Sequence, residues 1–131
     1  MADQLRQQVY DTVAAHLLTQ GRPAKIVIKS VARCAYRDHQ GFRCAVGCLI
    51  PDDRYDSAME SKTPRELKRE YPDLLPDVPI DLLHDLQHSH DNTLYHEGLH
   101  LWARHMLSIA ESWELDPAII KTFLENSDDT P

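Results

Sequence analysis

No stretch of this chain approaches the roughly 18 consecutive apolar residues of a membrane span, so no membrane partner is expected. Residues 1–6, Met-Ala-Asp-Gln-Leu-Arg, lack the apolar core of a secretory signal. Cysteine is scarce and odd in number, with three in 131 residues, which argues against a closed disulfide framework. These absences together point to a reducing cytoplasm. Internal repeats and low-complexity tracts are missing as well. What is present, at 42% hydrophobic and 27% charged, suffices for one modest core. A single domain is expected over residues 1–126, with residues 127–131 as a disordered acidic tail.

Positive charge runs short along the chain. Residues 1–51 carry a net +4, residues 52–91 a net −6 and residues 92–131 a net −5. An acidic surface repels phosphate backbones, so direct nucleic-acid binding is not expected. It serves solubility, or it attracts a protein with a basic surface.

The hydrophobic pattern predicts a helix over 3–20, where Leu5, Val9, Val13 and Leu17 recur at helical spacing before Gly21. Lys25 to Lys29 is β-prone. Residues 33–37 and 42–50 are expected to form a hairpin around Asp38-His39-Gln40-Gly41, with Cys34 opposite Cys44 and Tyr36 opposite Phe42. Thr63-Pro64-Arg65-Glu66 reads as a helix start with Thr as N-cap, Pro at N1 and Glu at N3. A helix from Pro79 to about His90, a turn at Asp91-Asn92-Thr93, a long helix from Leu94 to Glu114 and a short one from Pro117 complete the pattern. The expected fold class is α+β: a small antiparallel β-hairpin or three-stranded sheet packed by four to five helices.

Six of the eight histidines lie between His84 and His105. Two of them form His96-Glu97-Gly98-Leu99-His100, which matches H-E-x-x-H. That pattern makes a zinc hydrolase when both imidazoles share one helical face and the Glu, here Glu97, acts on a bound water. At about 100° per residue, His105 points away from the pair on a straight helix, so a third ligand must come from another element. The stripe Tyr95, Leu99, Trp102, Met106, Ile109 and Trp113 marks the core face, which places His96 and His100 at its boundary. His84 and His88 form a second i,i+4 pair. If two helices make an antiparallel hairpin, His88, His90 and His96 approach each other and offer a structural metal site. Asp81, Asp85 and Asp91 share that side and are the acidic candidates for a partner surface.

Cys34, Cys44 and Cys48, with His39 in the loop, are poorly spaced for zinc. Strand residues four apart are separated by about 13 Å. Small buried hydrophobes are the preferred role, with a redox-linked Cys34–Cys44 pair as the alternative.

The block Cys34-Ala35-Tyr36-Arg37, Gly41, Cys44-Ala45-Val46-Gly47-Cys48-Leu49-Ile50-Pro51-Asp52-Asp53-Arg54-Tyr55-Asp56 and Met59-Glu60 resembles a group of small uncharacterised proteins of bacteriophages and prophages. Leu86-Gln87-His88-Ser89-His90-Asp91 is similar to a later segment of the same group, whose shared pattern does not include H-E-x-x-H. The resemblance covers about half the chain and carries no catalytic residues. It implies a viral accessory protein in the cytoplasm of a bacterial host. The expected function is therefore non-enzymatic binding of a host protein with a basic surface, in the manner of an acidic inhibitor of a nucleic-acid-binding defence protein, with no cofactor and with a homodimer allowed. The alternative is the zinc-dependent hydrolase built on residues 96–100.

Overall fold

The computed structural model describes residues 2–28 and 31–128. Helix α1 (Ala2–Gln20) ends at Gly21, whose φ of 71° lets its N–H reach back to the Leu17 carbonyl at 2.8 Å. Val9, Tyr10, Val13, Ala14 and Leu17 are its buried face. Strands β1 (Lys25–Ile28) and β2 (Val31–Cys34) then pair antiparallel, with Lys25 opposite Cys34.

The α+β expectation is overturned: the fold is mostly helical. The β1–β2 ribbon is too short to form a layer. The predicted hairpin of 33–37 with 42–50 shrinks to one bridge, Arg37 with Arg43, which sets Tyr36 rather than Cys34 against Cys44. Two local causes stop it. Asp38 Oδ1 accepts the N–H groups of Gln40 and Phe42, both at 2.9 Å, which curls the loop tightly. Beyond Cys44 the backbone coils into a 3₁₀ turn, Gly47–Leu49, packed on Tyr36.

After a second 3₁₀ turn (Ser57–Ser61) comes α2 (Pro64–Glu70). It carries the predicted capping box: Glu66 N–H donates to Thr63 Oγ1 at 3.1 Å, and Thr63 N–H to Glu66 Oε1 at 3.0 Å. Helix α3 (Ile80–His88) does not stop at a turn near 91–93. It widens into a π-helical segment, Ser89–Leu94, and continues as α4 (Tyr95–Glu97). The break falls at Gly98, with φ 95° and ψ 179°. Helix α5 (Leu99–Trp113) follows and buries Trp102, Met106 and Ile109 of the predicted stripe. Helix α6 (Ala118–Asp128) runs through the start of the expected tail; residues 129–131 lie outside the described set. The core gathers α1, α2, α3, α5 and α6 around Trp102, Tyr10, Leu82 and Ile120.

Candidate functional site

The metal candidates do not converge. Gly98 splits HEGLH, leaving His96 and Glu97 on α4 and His100 on α5. A continuous helix is what places two imidazoles four apart over one ion, and that continuity is absent here. All three side chains are exposed. His96 lies edge-on to Tyr95, with ring centroids 4.8 Å apart, and His100 lies against Phe123 at 5.5 Å. His88 is exposed and meets the ring of His105 at 5.9 Å. Among the described residues, no three His, Cys, Asp or Glu side chains come close enough to share an ion.

His90 has a structural task instead. Its ring is fully buried, and Nε2 accepts the backbone N–H of Ala24 at 2.9 Å. The proton therefore sits on Nδ1, which donates to Asp91 Oδ1 at 2.8 Å. The same carboxylate oxygen accepts Gln87 Nε2 at 2.7 Å. Gln87 Oε1 in turn accepts the Val46 N–H at 2.9 Å and the Cys44 thiol at 3.1 Å. Residues 44–46 and 87–91 thus meet in one buried polar network.

That network also holds one of the two described cysteines, Cys44. Cys44 is buried and Cys48 half-buried, both as free thiols. Burial pushes the Cys44 thiol far above its ordinary value and the Cys48 thiol up to about 12, so neither is a ready thiolate. The side chain of Cys34 lies outside the described residues, and with it the proposed Cys34–Cys44 pair.

Of the acidic candidates, Asp85 Oδ2 accepts Trp113 Nε1 at 2.8 Å, and Asp91 serves the buried network. Asp81 alone of the three is well exposed, with Arg65 at 3.9 Å. Glu97, Glu111, Glu114, Asp116 and Glu125 are exposed on or beside α4, α5 and α6.

Sequence reasoning missed a cleft between β1, the 38–43 loop and the loop leading to Glu60. It has a volume of about 760 Å³. Glu60 lines it, and its carboxylate accepts the N–H groups of Tyr36 at 2.9 Å and Arg37 at 3.1 Å and the hydroxyl of Tyr55. Arg37 lies over the Tyr55 ring at 4.9 Å and donates to the Ile50 carbonyl at 2.7 Å. Desolvation and the Glu60 carboxylate push the Tyr55 hydroxyl well above its usual range, so it stays protonated and donates. Arg37, Asp52, Tyr55 and Glu60 lie within 23 residues of each other in the chain. Spacing alone does not bring them together.

Comparison with family models, with curated proteins and with solved structures returns no match.

Proposed function

We propose that this chain is a non-enzymatic accessory protein of phage type that binds a host protein through its acidic helical surface. The observation that supports this is the disposition of charge over the last helices. Glu97, Glu111, Glu114, Asp116 and Glu125 all face solvent, and from residue 92 to 126 the cations are Arg104 and Lys121. Such a field attracts a basic partner surface and speeds encounter with it. A basic surface that normally holds nucleic acid is the complementary target, which makes inhibition by occupancy the simplest mode of action. The viral setting rests on the resemblance of residues 34–60 and 86–91.

The test is capture from bacterial lysate over a salt series. A defined basic partner held at low salt and released as salt rises supports the proposal. Retention of nothing at low salt contradicts it.

A further inference from the structure

We propose that the cleft beside Arg37 binds the oxyanion head of a small ligand, a carboxylate or a phosphate, and that Asp52 is the internal group this ligand displaces.

The cleft is built rather than incidental. Glu60 spends its carboxylate on two backbone N–H groups and the Tyr55 hydroxyl, which locks both walls. Arg37 is held by the Tyr55 ring and the Ile50 carbonyl, and its side chain is only 17% exposed. Arg43 faces Arg37 across their single bridge, with its backbone N–H donated to Gln20 Oε1 at 2.7 Å. Asp38, the other acid at the rim, is occupied by the N–H groups of Gln40 and Phe42. The Arg37 guanidinium is therefore positioned before any ligand arrives, and that of Arg43 lies across Asp52 from it.

What sits between them is weakly held. Asp52 is 84% exposed, and a single oxygen, Oδ1, bridges Arg37 Nη2 at 2.8 Å and Arg43 Nη1 at 3.8 Å. An ion pair this wet adds little, because solvent screens it. Arg37 Nε is buried and has no hydrogen-bond partner among the described residues, so Asp52 does not satisfy the guanidinium. A free carboxylate or phosphate brings two or three oxygens to the same forked donors and engages them more fully. The carboxylates of Asp38 and Glu60 also line the cleft, and further cations lie next to it. A neighbouring groove shares Ile26, Asp38 and His39 and adds Arg22 and Lys25, with Arg22 lying over Phe42 at 5.1 Å.

The experiment is calorimetric titration of the folded chain with inorganic phosphate and, separately, with acetate. The wild type is compared with Asp52→Asn, Asp53→Asn and Arg43→Gln. Asp53 is an exposed neighbour whose neutralisation changes net charge equally. One-to-one binding is expected, about fivefold tighter in Asp52→Asn, unchanged in Asp53→Asn and at least about tenfold weaker in Arg43→Gln. Whichever anion binds identifies the head group. Equal effects of the two Asp→Asn changes, indifference to Arg43→Gln, or no saturable binding of either anion would overturn the proposal. None of these outcomes depends on a host partner, so this site and the acidic surface stand or fall separately.

Discussion

The backbone N–H of Ala24 donates to Nε2 of His90 at 2.9 Å, and the imidazole that accepts it has no exposed surface. A histidine expected among metal ligands thus ties the start of β1 to the π-helical segment 66 residues later. His90→Ala leaves a buried donor unpaired and opens a cavity. The expected cost is about 2–4 kcal/mol, read as a lower midpoint in urea unfolding. A midpoint within experimental error of the wild type would show that the bond contributes nothing.

Gly47 is required by close approach. A Cβ added there would lie 2.0 Å from the Tyr36 carbonyl oxygen and 2.7 Å from its carbon, both backbone atoms that cannot swing aside. Gly47→Ala is expected to destabilise the fold by about 3 kcal/mol, the upper end of overpacking costs. Thermal unfolding of the purified variant measures this, and an unchanged midpoint would mean that the 47–50 turn sits elsewhere in solution.

Acid sensitivity should begin just below neutrality. Burial depresses the basicity of His16, whose Nε2 donates to the Arg43 carbonyl at 3.0 Å, and of His105, where neighbouring His88 adds to the effect. For both, the unfolded chain, with its ordinary value of 6.5, binds more protons than the folded one. Stability is therefore fully present above 6.5 and falls as pH drops from there toward the lower folded values. Glu66 and Asp73, whose carboxyls are held below their usual range by Thr63 and Arg54 respectively, act in a separate, lower window, beneath 4.5 and 3.8. Urea midpoints at about pH 7.5 and about pH 5 should differ in the wild type and differ less in His16→Gln. A His16→Gln chain that loses as much stability between these pH values would contradict the assignment.

Local chemistry was legible where it is self-contained. Helix α1 with its Gly21 stop, the Thr63–Glu66 box and the Trp102–Met106–Ile109 stripe each follow from residues within one or two turns of each other. The sequence misleads where distant groups decide. Residues 42–50 read as a strand because their apolar positions suit one. Gln87, some 40 residues away, accepts the Val46 N–H, a group that a strand would have paired, and also the Cys44 thiol. HEGLH read as a helical motif because one glycine costs a helix only about 1 kcal/mol. In the fold Gly98 adopts φ 95°, a conformation open to glycine, and ends the helix between the two histidines. The Arg37 cleft was hidden for a related reason. Its four defining side chains, Arg37, Asp52, Tyr55 and Glu60, are gathered by loops, whose paths leave no periodic trace.

The surface proposed to meet the partner is the set of exposed carboxylates on the last helices. It is tested most directly by capture from bacterial lysate with the wild type and with Glu97→Lys/Glu111→Lys/Glu125→Lys, compared across a salt series. The expected result is a basic partner held by the wild type at low salt, released as salt rises and absent from the triple variant. Equal capture by the variant, or retention that ignores salt, would contradict it.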